Sequence, residues 1–141
     1  MKKTIIVDSI SILFVVVFVY AGSSKLIDHQ KFIIELGKSP LLSPFSILIS
    51  WTVPFLEIGI AVMLTVGQLQ LKALYAALAM MSVFTIYIIF IMNFSPYIPC
   101  SCGGILRNMS WGQHLIFNTI FLFLSISGIL ISPLDKRTIA R

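Results

Sequence analysis

The chain has 141 residues, of which 58% are hydrophobic and 11% are charged. Soluble domains carry about 25% charged residues, so this composition excludes an ordinary soluble protein and indicates a membrane protein. The net charge of +5 would favour nucleic acid as a partner in a soluble protein, but most of the Lys and Arg residues flank apolar segments. Membrane orientation and lipid headgroups account for cations in such places, and we predict no nucleic-acid partner.

Four apolar segments are long enough to cross a bilayer as helices. The predicted spans are residues 5–21, 45–66, 71–94 and 114–131. Each is close to the ~20 residues that cross the hydrocarbon core. We expect an all-α, integral membrane four-helix bundle that forms a single domain over residues 1–141, with outer connections at 22–44 and 95–113. The first segment contains Asp8 and lacks a clear small-residue cleavage site, so we expect it to be retained rather than removed as a signal peptide.

The distribution of Lys and Arg residues favours one orientation in the membrane. With the N-terminus inside, the inner side carries Lys2, Lys3, Lys72, Lys136, Arg137 and Arg141. The outer side then carries Lys25, Lys31, Lys38 and Arg107. Because an excess of positive charge marks the cytoplasmic side, we predict that both termini are cytoplasmic and that connection 95–113 lies outside.

The first outer connection contains a short amphipathic pattern. Asp28 is placed to cap a helix and Gly37 is placed to end it. The apolar positions between them are Phe32, Ile33 and Leu36. We predict a short interfacial helix after the first span, with these side chains against the bilayer surface, that covers the outer end of the bundle.

Both cysteines of the chain lie in the second outer connection, in the sequence PCSCGG. Only Ser101 separates Cys100 from Cys102. On the oxidising side of a membrane such a pair forms and breaks a disulfide, and the strain of so short a ring makes the bond easier to reduce. A structural disulfide usually joins segments distant in sequence. We therefore predict an exchanging pair, with a structural bridge or idle thiols as the alternative.

His114 is a candidate proton acceptor for the thiols. It lies near them in sequence, and histidine titrates close to neutral pH. The alternative is an interfacial residue beside Trp111 that takes part in no chemistry. The two thiols and His114 would supply three metal ligands, short of the usual four of structural zinc, and we predict no metal site.

Glu57 lies near the middle of the second span. An ionisable group at that depth is costly and usually faces the bundle interior, so we expect Glu57 to be buried between helices, level with Ser82 and Ser125. It is either an intramembrane proton or quinone site or a protonated carboxyl that hydrogen-bonds a neighbouring helix.

Polar residues recur on one face of the third and fourth spans. They are Ser82, Thr85 and Asn93 on the third and His114, Asn118 and Ser125 on the fourth. This spacing predicts a polar seam from the cysteine connection toward Glu57. Hydrogen bonding between helices is its simplest explanation.

Three segments resemble the MauE family of small membrane proteins, which is related to the DoxX-like group. They are AGSSKL at the end of the first span, VPFLEIGIAVML in the second and PCSCGG before the last. The resemblance implies a four-helix bundle of the bacterial inner membrane whose cysteine loop lies on the periplasmic side. It also implies that Cys100 and Cys102 are the redox pair, and that Lys25 and Glu57 are family-pattern positions without an assigned role.

The resemblance further implies a membrane thiol-disulfide redox component that supports disulfide formation or exchange in exported proteins. Its partners would be the lipid bilayer and a thioredoxin-like or cysteine-containing exported protein. Enzymatic activity is left open, because quinone-coupled disulfide enzymes of similar size use two cysteine pairs and this chain has one. One alternative is a non-catalytic subunit that docks to a larger membrane complex. Another is a DoxX-like quinone-associated subunit, with quinone as the candidate cofactor.

Overall fold

The structure, a computed structural model, describes residues 2–95 and 109–132. Within those ranges it contains five α-helices and a short 3-10 helix, and no strand. The α-helices are α1 (Lys2–Ile27), α2 (His29–Lys38), α3 (Ser46–Thr65), α4 (Gln70–Phe94) and α5 (Trp111–Ile131). The 3-10 helix, Ser43–Phe45, leads directly into α3. The predicted all-α class is confirmed.

Four of these helices, α1, α3, α4 and α5, are long and apolar enough to cross a membrane. The chain is therefore a multi-pass membrane protein with the four predicted spans. The last three begin and end within three residues of the predicted positions. The first is longer than predicted, because α1 continues to Ile27. Residues 22–27, expected in the outer connection, are the last turns of this helix.

The spans pack in pairs, α1 against α3 and α4 against α5, and contacts between α3 and α4 and between α1 and α5 close the bundle. Phe14 and Phe18 of α1 are fully buried, and the Phe14 ring meets that of Phe121 edge-on with centroids 5.0 Å apart. Many outward side chains, such as Ile12 and Leu130, are apolar and exposed. This is the arrangement expected of helices that lipid surrounds.

The short helix α2 is present after the first span, as predicted, and packs against α3 and the 3-10 helix. Asp28 occupies its N-cap position, and the helix ends one residue after Gly37. Phe32 and Leu36 are buried, with 7% and 6% of their surface exposed. The expectation that they lie against the bilayer surface is wrong, because both side chains face the bundle itself.

Candidate functional site

A cavity of about 300 Å³ lies between the spans, with α2 forming one wall. All five α-helices contribute side chains to it, and most of these side chains are apolar. Sites for small molecules usually measure about 300–1,000 Å³ and are lined by apolar and aromatic groups with a few polar ones. The cavity therefore has the size and the lining of a small-molecule site.

A buried ion pair joins α1 to α3 in the wall of this cavity. Lys25 Nζ lies 2.7 Å from Glu57 Oε1 and 3.0 Å from Oε2, so the ammonium donates to both carboxylate oxygens. The two side chains are 9% and 2% exposed. Lys25 Nζ also lies 5.9 Å from the centroid of the Phe32 ring, a cation–π distance that links α2 to the pair.

Gly22 brings α1 close enough to α3 for this pair to form. A Cβ atom at Gly22 would lie 2.9 Å from Ile58 Cγ1 and 3.1 Å from the carbonyl oxygen of Pro54. Gly22 lies one turn before Lys25, and Pro54 lies one turn before Glu57. Small residues allow close approach of membrane helices in this way. Because Gly22 has no side chain, α1 and α3 approach closely enough for Lys25 to reach Glu57.

Glu57 is buried between helices, as predicted, but its partner differs from those expected. Ser82 donates its hydroxyl to the Leu78 carbonyl, and Ser125 donates to the Leu122 carbonyl. Each of these hydrogen bonds stays within one helix, whereas Glu57 binds Lys25. The sequence prediction ended the first span at residue 21, which placed Lys25 in a loop. The sequence AGSSKL contains no proline that would end a helix. This was the available signal that the first span continues to Lys25.

The polar seam predicted along α4 does not form. Ser82, Thr85 and Asn93 each donate to the carbonyl four residues earlier in the same helix, and Asn93 is exposed. A hydroxyl or amide that bonds its own helix is satisfied without a neighbouring helix. On α5, His114 and Asn118 do face the cavity.

Three side chains that line the cavity each carry a polar atom that is buried without a hydrogen-bond partner in the described part of the chain. These atoms are Glu35 Oε2, His114 Nδ1 and Asn118 Nδ2. Buried polar atoms in folded proteins are normally hydrogen-bonded, so these three side chains are candidates to bind a molecule inside the cavity. Glu35 was not predicted as a site residue. The sequence did contain a signal for Glu35. It follows Phe32 by three residues and precedes Leu36, which places it on the same inward face of α2.

His114 is half-buried and contributes to the cavity wall. A capping box fixes the start of α5, where Ser110 Oγ accepts from the Gln113 backbone N–H and Gln113 Oε1 accepts from the Ser110 N–H. The ring centroids of Trp111 and His114 lie 6.2 Å apart. The role of His114 as a proton acceptor stays a prediction.

The predicted redox pair, Cys100 and Cys102, lies outside the described residues, in the segment that joins α4 to α5. Both helices that flank this segment contribute to the cavity, α4 through Tyr87 and Ile88 and α5 through Trp111. Within residues 2–95 and 109–132, no three His, Cys, Asp or Glu residues are grouped to hold a metal ion.

Residues 3–131 match a protein-family model described as methylamine utilisation protein MauE. This match extends over all four spans and the cysteine segment. Neither curated proteins nor solved structures give a match.

Proposed function

Since the chain belongs to the MauE family, we propose that it is a membrane thiol-disulfide redox component whose exchanging groups are Cys100 and Cys102. The resemblance seen in its segments is thereby confirmed. The observation that carries the proposal is the placement of both cysteines one residue apart in the segment between α4 and α5. The proposed partner is an exported protein with cysteines or a thioredoxin-like protein, and methylamine is not carried over as a substrate.

Two neighbouring cysteines suffice for this exchange. A thiolate attacks a disulfide sulfur, a mixed disulfide forms, and a second thiolate attacks it and releases the first partner. In our proposal Cys100 forms the mixed disulfide and Cys102 resolves it. His114 supports the proposal from the cavity wall, because its Nδ1 has no partner among the described residues and is free to take up a proton.

Replacing Cys102 with serine is expected to trap the partner. Without the resolving thiol, a mixed disulfide through Cys100 persists and appears as a higher-mass species on a non-reducing gel, with the partner identified by mass spectrometry. A reductant should release it. The matched control is the double variant Cys100→Ser/Cys102→Ser, which should form no such species. If no partner is trapped and the double variant retains full function in cells, a non-catalytic docking subunit replaces this proposal.

We also propose that both termini are cytoplasmic and that the cysteines lie on the periplasmic side of a bacterial inner membrane. Lys25 is buried in an ion pair and is no longer a loop charge. The count of six inner against four outer cations then becomes six against three, once Lys25 is subtracted from the outer side. A larger excess of inner cations supports this orientation more strongly.

A membrane-impermeant maleimide is expected to label the reduced cysteines in intact spheroplasts. The matched control is a Gly67→Cys variant that lacks both native cysteines. Gly67 lies in the short connection between α3 and α4, and a Cβ there would meet no atom within 4 Å. This control should be labelled only after permeabilisation. The reverse pattern would show the opposite orientation.

A further inference from the structure

We propose that the cavity binds a neutral, planar ring compound with carbonyl oxygens, of the quinone class. The binding site follows from the described side chains alone. The use of this compound as the electron acceptor for Cys100 and Cys102 rests on the proposed function.

The walls of the cavity suit a flat ring. Six aromatic side chains from four helices line it, and they are Phe18, Phe32, Phe84, Tyr87, Trp111 and Phe117. Aromatic side chains pack against planar rings in stacked and edge-on arrangements. In a membrane protein, such a cavity favours a ligand that partitions into lipid.

The charged groups of the cavity favour a neutral ligand. The Lys25 ammonium is neutralised by the Glu57 carboxylate at 2.7 Å, and Glu35 Oε1 lies 3.3 Å from Lys38 Nζ. A charged ligand would lose its hydration here without gaining an unpaired counter-charge, which is unfavourable.

The unpaired polar atoms identify the functional group. Asn118 is 3% exposed, and its Nδ2 is a donor without a partner in the described chain. His114 lies one turn earlier on α5, and its Nδ1 also has no partner there. A carbonyl oxygen of the ligand accepts from the Asn118 amide, and from His114 Nδ1 when that nitrogen carries a proton. Glu35 Oε2, on α2, is an acceptor for the hydroxyl that forms when the ring is reduced.

The electron balance also closes with this class of compound. Oxidation of the two thiols to a disulfide releases two electrons and two protons. Reduction of a quinone to a quinol takes up both. Cys100 and Cys102 then exchange with the exported partner in one step and pass two electrons to the quinone in another. The chain therefore needs no second cysteine pair.

Binding is measured with decylubiquinone as the probe and tryptophan fluorescence as the signal. The chain has two tryptophans, and Trp51→Phe leaves Trp111, which lines the cavity, as the reporter. Cys100 and Cys102 are replaced by serine in all variants, so that binding is tested without thiol chemistry. We expect saturable quenching of Trp111 fluorescence in lipid nanodiscs. Trp111→Phe leaves Trp51, which is 48% exposed and does not line the cavity. This variant should show only linear quenching from probe dissolved in lipid.

Asn118→Leu should weaken binding about tenfold, because a buried hydrogen bond to the ring oxygen is lost. The matched control is Ser125→Ala on the same helix, whose hydroxyl is bonded to the Leu122 carbonyl and should not affect binding. Val53→Phe, which fills the cavity from α3, should abolish saturation while helix content by circular dichroism is unchanged.

Linear quenching of Trp111 in the folded parent, as expected of a cavity that holds only water, would overturn the proposal. So would equal affinity of Asn118→Leu and Ser125→Ala. Because these chains lack cysteines, the result is independent of the trapping experiment. Saturable binding, with no trapped partner and full function of the double cysteine variant in cells, would reject the thiol proposal alone. A trapped partner without saturable binding would reject the quinone site alone.

Discussion

Glu57→Leu is expected to lower the free energy of unfolding by about 3–5 kcal/mol, the usual cost of removing one member of a buried ion pair. The substitution leaves the Lys25 ammonium, of which 9% of the side chain is exposed, without its carboxylate. Glu57→Gln should lose less, because the amide oxygen still accepts from Lys25 Nζ. Unfolding in detergent, followed by circular dichroism against temperature or denaturant, measures the difference.

The double variant Lys25→Met/Glu57→Leu separates the ion pair from the packing of the two helices. Replacing both charges with apolar groups of similar size removes the unpaired ammonium, so the double variant should be more stable than Glu57→Leu alone. Lys31→Met is the control for removing a cation from an exposed position and should change stability by less than about 0.5 kcal/mol. If the double variant were as unstable as Glu57→Leu, the charge of Lys25 would not be what destabilises the single variant.

Gly22→Leu is expected to separate α1 from α3 and to lower the free energy of unfolding by about 3 kcal/mol or more. Overpacking alone costs about 1–3 kcal/mol, and here the clash involves the backbone oxygen of Pro54 at 3.1 Å as well as Ile58. The displaced helix also carries Lys25 away from Glu57, which adds to the loss. The same unfolding measurement applies, and Gly22→Ala should give a smaller loss.

Gly59→Leu is the matched control for this substitution. Gly59 is exposed on α3, and a Cβ at that position would meet no atom within 4 Å. The added side chain should therefore point into lipid or detergent with little effect on stability. Equal losses in Gly22→Leu and Gly59→Leu would show that the approach of α1 to α3 at Gly22 does not determine stability.

The sequence predicted the features that depend on length and overall hydropathy. Four apolar segments of about the length of a bilayer define four helices, because a backbone in lipid must satisfy its hydrogen bonds within the helix. The amphipathic pattern after the first span predicted α2, and the segments around Gly22, Glu57 and the cysteines predicted the family. The redox role of the cysteine pair stays a prediction.

The sequence did not determine which face of each helix meets which neighbour. In a membrane protein both the lipid-facing and the core-facing surfaces are apolar, so hydropathy does not distinguish them. For this reason Phe32 and Leu36 were placed against the bilayer, although they face the bundle. A polar residue in a span is equally ambiguous, because Ser82 satisfies its hydroxyl within its own helix, whereas Asn118 lines the cavity and its Nδ2 has no partner in the described part of the chain.

Only the tertiary structure brought Lys25 to Glu57, which are 32 residues apart in the chain. That contact depends on where α1 ends and on how closely it approaches α3. The close approach occurs at Gly22, which lies within α1 and packs against Pro54 and Ile58 of α3. The pairing of two distant charges followed from this close approach, and neither residue's local sequence contained it.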